Sequence, residues 1–142
     1  MKTITMRLHK YARAVLDRSG ASAEVVLVPS WTGVVFAHGL TTLNAGDRRT
    51  LELFVPHKHV WCLNGVLDPY WWGLTVLVWH EVAHVLTLQE DGPDHGREWR
   101  KALCDIARQE TGVPVTFGAQ RDAGIVEQLR RAGAPPPLWG VS

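Results

Sequence analysis

With 142 residues, the chain is long enough for one domain whose core needs no disulfide staples, and 46% hydrophobic with 20% charged residues excludes a disordered or collagen-like polymer. Fifteen Lys and Arg against 14 Asp and Glu leave a formal charge of +1, without the basic excess of a protein built to hold polyanions. The unusual features are seven Trp and seven His, residue types that build aromatic grooves and bind metals respectively.

In chain order, the first ten residues include Lys2, Arg7, His9 and Lys10 where a secretory leader needs about 7–15 uninterrupted apolar residues, which predicts a cytoplasmic protein. Ile4, Leu8, Tyr11, Val15 and Leu16 recur at helical spacing, predicting an amphipathic helix over 3–19 that Gly20 stops. Three β-rich runs follow at 24–28, 33–38 and 50–55, the last two separated by the turn residues Asn44, Ala45, Gly46 and Asp47. Residues 56–69 read as a connecting loop into an apolar helix over 70–89. His80, Glu81 and His84 in the middle of that segment argue against a membrane span.

After the breaker Glu90-Asp91-Gly92-Pro93-Asp94, residues Trp99, Ala102, Leu103, Ile106 and Ala107 share one face of a further helix, which Asp94 would cap and Gly112 would end. A short helix over 122–132 comes next. Residues 1–133 are thus expected to form one domain, and 134–142, with Pro135, Pro136 and Pro137, a stiff tail docking Trp139. Cys62 and Cys104 form no CxxC pair, so neither a zinc ribbon nor a disulfide framework is available and a reducing compartment is the simpler reading.

His80-Glu81-Val82-Ala83-His84 is an HExxH pattern. Residues four apart on a helix differ by about 40° and one turn of about 5.4 Å, so both imidazoles project to one side and can grip one Zn²⁺. Glu81 then stands on the rim, placed to take a proton from a metal-activated water rather than to bind the ion. In a chain of this composition, chance alone produces HExxH roughly one or two times in a hundred. Three ionisable groups among Leu77, Val78, Val82, Val85 and Leu86 are expensive to bury unless a metal or a wet cleft compensates.

A catalytic zinc needs a third protein ligand and an open position. Thr87 and Glu90 occupy the places where a metzincin would carry Gly and His, which excludes that class. A chain that turns at Gly92-Pro93 brings His95 back beside the HExxH turn; Glu98, one turn further on, is the competing third ligand and would make a His₂Glu site.

The stretch His80-Glu81-Val82-Ala83-His84 followed by Asp94-His95-Gly96-Arg97-Glu98-Trp99 resembles the SprT-like (Spartan) zinc metalloproteases, with HExxH, a short turn and HG-x-x-F/W. The resemblance covers about residues 50–110, and the order of elements is similar to a minimal gluzincin-type peptidase unit. It implies His80, His84 and His95 as zinc ligands, Glu81 as catalytic acid and base, and Trp99 as the residue that packs the last of these helices onto the active-site helix. No CxxC pair or basic tail accompanies these motifs, so what the resemblance implies here is fold and chemistry.

Other residues have plainer readings beside functional ones. His57 and His59 fit a solvated loop better than a second metal site, although they join Tyr70 and Arg97 as candidates for stabilising an oxyanion. Trp72 and Trp79 share one helix face and read as core. Arg97, Arg100, Lys101 and Arg108 read as a solvated face, with a groove for nucleic acid or acidic substrate as the competing account. The expectation is therefore an α+β, zincin-like metallopeptidase: a three-stranded sheet on an N-terminal helix, the HExxH helix and a following helix, acting on protein or peptide with one Zn²⁺. The substrate strand would pair with an edge strand, either 36–43 or 51–55. The alternative is a non-catalytic zinc-binding regulatory module associated with DNA or protein.

Overall fold

The computed structural model describes residues 4–30, 38–43, 49–56, 62–63, 66–67, 72–87 and 95–135. Their order is α1 (Ile4–Arg18), β1 (Glu24–Ser30), β2 (His38–Leu43), β3 (Arg49–Pro56), β4 (Cys62–Leu63), β5 (Val66–Leu67), α2 (Trp72–Thr87), α3 (Arg97–Thr111) and α4 (Arg121–Arg131). This is the mixed α+β class that the sequence periodicities predict. No helix among the described residues is long and apolar enough to cross a membrane. Most of the proline tail, with Trp139, lies outside the described residues.

Helix α1 buries Leu8, Ala12, Val15 and Leu16, one face at helical spacing. It ends because Gly20 adopts φ 70°, a left-handed conformation open to glycine at little cost. That turn lets Gly20 N–H donate to Asp17 O at 3.2 Å and Ala21 N–H to Leu16 O at 2.9 Å, the paired bonds of a Schellman cap.

The main sheet has the order β1-β3-β2, with β1 parallel and β2 antiparallel to β3. The second strand is described over His38–Leu43, antiparallel to β3 with Leu43 opposite Arg49 and Thr42 opposite Thr50; it meets the expected 33–38 run at His38, and residues 33–37 lie outside the described residues. Residues 51–55 cannot be an edge strand, since β3 is hydrogen-bonded on both sides. In the connection to α2, Cys62 pairs with Leu67 and Leu63 with Val66 around Asn64-Gly65. Part of the stretch expected as loop is therefore a short antiparallel ladder, while Asn64 and Gly65 lie outside the described residues.

Helix α2 touches α1, α3, α4, β2 and β3. Thirteen of its 16 residues are buried, and full burial of each large aliphatic side chain is worth about 1.5–3 kcal/mol, which makes α2 the core of the protein. Trp72 and Trp79 meet edge to face at 6.2 Å and belong to that core. Two side chains bond carbonyls in the last turns of α2. Arg49 at the start of β3 donates through Nη1 to Val85 O, and Thr87 Oγ1 donates to Ala83 O at 2.8 Å. Helix α3 buries Trp99, Leu103, Ile106 and Ala107 against α2, and α4 buries Ile125, Val126 and Leu129.

A polar clamp joins three helices on the side of α1. Trp79 Nε1 donates to the Tyr11 hydroxyl at 3.0 Å, and that hydroxyl donates to Glu110 Oε1 at 3.2 Å. Arg18 grips the same carboxylate with two nitrogens, Nε to Oε2 at 2.7 Å and Nη2 to Oε1 at 2.5 Å. Burial pushes the Tyr11 phenol well above its usual 10, while the Trp79 hydrogen bond opposes the rise. Burial alone would also raise the Glu110 carboxyl, but the Arg18 and Gln109 hydrogen bonds and the Arg18 charge together outweigh it and hold Glu110 below its usual range.

Candidate metal centre

Helix geometry supplies the first two histidines. His80 and His84 stand one turn apart on α2, with His84 buried and His80 partly exposed. Glu81, between them in sequence, is only 2% exposed in a helix otherwise apolar around it. The third comes from the turn ahead of α3. That helix starts at Arg97 with Gly96 as its N-cap in extended backbone (φ −79°, ψ −167°) and no side-chain cap, and the first helical bond runs from Arg100 N–H to Gly96 O at 3.0 Å. Asp94 is therefore not the cap, and it lies outside the described residues. Because the helix begins after His95, its imidazole is carried on the turn ahead of α3, where it faces the two histidines of α2.

The three Nε2 atoms form a near-equilateral triangle: His84 to His80 3.2 Å, His84 to His95 3.1 Å and His95 to His80 3.3 Å. Among the described residues, this is the group of three or more His, Cys, Asp or Glu that could hold a metal ion. Glu98 is exposed on α3 and is not a member. Glu81 Oε2 lies 3.7 Å from His80 Nε2, next to the point on which the imidazoles converge.

Trp99 forms the floor. Its indole stacks on His84 at 5.2 Å and 28° and meets His80 and His95 edge to face, each at 4.6 Å. Its Nε1 donates to the His80 carbonyl at 3.2 Å, satisfying a polar atom that burial would otherwise leave costly. The indole thus joins α3 to α2 and sets the plane of the His84 ring.

Sequence reasoning missed Asp122. This residue in the first turn of α4 sets its Oδ2 2.8 Å from His80 Nδ1, across 42 positions of sequence. Because a carboxylate oxygen accepts, this contact suits the His80 tautomer with its proton on Nδ1, which leaves Nε2 to face the other two histidines. A carboxylate on the far nitrogen both fixes the ring and raises its basicity as a ligand. The available signal was weak: an Asp in the first turn of a helix is explained equally well by the helix dipole.

A cleft of about 230 Å³ opens beside the triangle, lined by His80, His95, Trp99, Arg100, Phe117, Arg121 and Asp122. Arg97 is exposed and does not line it, while Tyr70, His57 and His59 lie outside the described residues. Arg97, Lys101 and Arg108 form the solvated face expected of them, Lys101 pairing with Asp105 at 2.7 Å. Arg100 departs from that pattern and turns to the cleft. Comparison with known protein families, curated proteins and solved structures finds no match for this chain.

Proposed function

We propose that this chain is a zincin-like, zinc-dependent metallopeptidase acting on protein or peptide, in which His80, His84 and His95 hold one Zn²⁺ and Glu81 is the general base and acid. The observation that carries the reading is the triangle of Nε2 atoms at 3.1–3.3 Å. A tetrahedral ion with Zn–N bonds of about 2.0–2.1 Å spaces its nitrogens by about 3.3–3.4 Å. With Asp122 on its Nδ1, His80 is left with Nε2 as its ligating atom, and three Nε2 atoms at this spacing match the nitrogens of one coordinated cation. The donor set, three imidazoles with an adjacent carboxylate, suits zinc better than a hard oxygen-seeking cation.

When bound, such an ion polarises a carbonyl and brings the pKa of a water toward neutrality. The Glu81 carboxylate accepts a proton from the attacking water and passes it to the departing amine, so one residue serves both halves of the hydrolysis. Asp122 keeps His80 in the ligating tautomer, and Trp99 holds the ring planes. The competing account is a closed structural zinc in a regulatory module, which would need a fourth protein ligand. Three members among the described residues, with a cleft opening beside His80 and His95, favour an open position for water and substrate.

The test is zinc content by elemental analysis together with hydrolysis of an unfolded protein, for the wild type and Glu81→Gln. The expected result is equal zinc in both and cleavage slower by roughly 10²–10⁴ in the variant. A wild type that holds zinc and cleaves nothing, indistinguishable from Glu81→Gln, replaces the peptidase with the binding module.

A further inference from the structure

The cleft beside the histidine triangle is unusual in its charge. Of the charged groups that line it, Asp122 is committed to His80 Nδ1, which leaves the guanidinium groups of Arg100 and Arg121 facing the same 230 Å³ as His80 and His95. Arg100 is exposed but not loose: its Nε donates to the His95 carbonyl at 2.9 Å, and its guanidinium lies 5.2 Å from the centre of the Phe117 ring. Those contacts hold the guanidinium in place through Nε, and its two terminal nitrogens make no hydrogen bond or ion pair among the described residues. Arg121 has no carboxylate partner among the described residues. Its backbone sits at φ 54°, the left-handed region that a side-chain-bearing residue adopts only at a cost, with its N–H donating to Gly118 O at 2.9 Å. Strain of this kind concentrates where a side chain must be aimed, and here it lies directly before Asp122, the residue that orients a histidine.

We propose that this cleft is a carboxylate subsite, in which Arg100 and Arg121 bind the carboxylate of a peptide laid across the histidine triangle. Resting as it does on the peptidase reading, the proposal makes the preferred substrate a peptide with a carboxylate close to the scissile bond. An acidic side chain and a free C-terminus offer the same chemistry, and Phe117 and Trp99, which meet edge to face at 5.3 Å, supply an apolar wall for the stem that carries it. Two arginines with a planar fork match a carboxylate in charge and shape, and a charge-assisted pair of that kind is strong enough to set selectivity.

The experiment uses zinc-loaded Glu81→Gln protein, so that peptides bind without being consumed, and four matched peptides: Asp or Asn at one position, each with a free or an amidated C-terminus. Affinities are measured by calorimetry, then repeated with Arg121→Gln and with Arg100→Gln added separately. The expected result is that one carboxylate is preferred over its amide by roughly tenfold, and that either arginine substitution removes most of the preference. Preference for Asp identifies an internal acidic residue, and preference for the free terminus identifies the chain end. Equal binding of acid and amide overturns the proposal, as does a preference that survives both arginine substitutions, since the metal alone would then hold the carboxylate. Tighter capture of a single-stranded oligonucleotide that displaces the acidic peptide also overturns it in favour of phosphate. Acid-selective binding with a wild type that cleaves nothing leaves the subsite and removes the peptidase; cleavage without acid selectivity does the reverse.

Discussion

At the residue scale, the candidate centre depends on a few contacts that can be removed singly. Asp122→Asn keeps the size of the side chain but replaces the charged acceptor on His80 Nδ1 with an amide that can present either end. Zinc affinity is expected to fall about 10- to 100-fold with the fold intact, measured by competition against a chelator while circular dichroism is followed. Unchanged affinity would make the 2.8 Å contact a matter of helix docking alone. His95→Ala should release zinc and Glu98→Ala should keep it, because only the first of these side chains reaches the triangle. Zinc lost from Glu98→Ala and kept by His95→Ala would turn the centre into a His₂Glu site.

At the scale of elements, α2 has chemistry on one side and structural support on the others. It holds two candidate ligands and Glu81, yet the third candidate ligand, the indole floor and the carboxylate on His80 all belong to α3, its leading turn and α4. Packing of α3 on α2 therefore maintains the geometry of the centre as well as the core. Leu103, fully buried on α3, should cost about 2–5 kcal/mol when changed to Ala, from lost burial plus the cavity left behind. Lys101, whose side chain is 71% exposed two residues earlier, should change stability by less than about 0.5 kcal/mol when changed to Ala. Denaturant unfolding of the metal-free proteins checks the pair, and similar midpoints would refute the assignment of the buried face. If α3 also positions His95, Leu103→Ala should bind zinc more weakly than Lys101→Ala does.

At the scale of the whole molecule, the Arg18–Glu110–Tyr11–Trp79 clamp holds the C-terminal ends of α1 and α3 to α2 and makes stability depend on pH at both extremes. The folded state holds the Glu110 carboxyl below its ordinary value of 4.5, so that contribution is present above pH 4.5 and disappears as pH falls through the lower folded value. Tyr11 behaves oppositely. Burial raises its phenol above the usual 10, so its contribution is complete below pH 10 and fades as pH rises through the higher folded value. Glu110→Gln should therefore be less stable than wild type at neutral pH, with the gap closing in acid. Thermal melts from pH 2 to 7, conducted without metal to keep histidine ligation out of the comparison, read this directly. A gap that persists unchanged in acid would show that packing, not ionisation, carries the clamp.

What the sequence determined by itself is local, because helical periodicity, glycine stops and a four-residue ligand spacing depend on neighbours along the chain. The helices α1 to α4 were legible within a few residues, Gly20 and Gly112 ended theirs in the left-handed conformation, and His80, Glu81 and His84 shared a helix face before any packing was known. His95 was legible as a candidate because only a short stretch of sequence with the breaker Gly92-Pro93 separates it from the HExxH segment, though Glu98 competed with it on the same grounds. The tertiary structure alone decided the rest. It chose His95 over Glu98 by starting α3 at Arg97, made 51–55 a central rather than an edge strand by pairing β1 with β3, and brought Asp122 across 42 residues to His80. It also turned Arg100 and Arg121 into one cleft. The physical reason is common to all four: strand order and helix docking are settled by which apolar faces bury together, and α2, apolar nearly all round, can be approached from several directions. Its own pattern cannot specify which neighbour takes which side, so the residues completing the centre emerge only once the whole chain has packed around it.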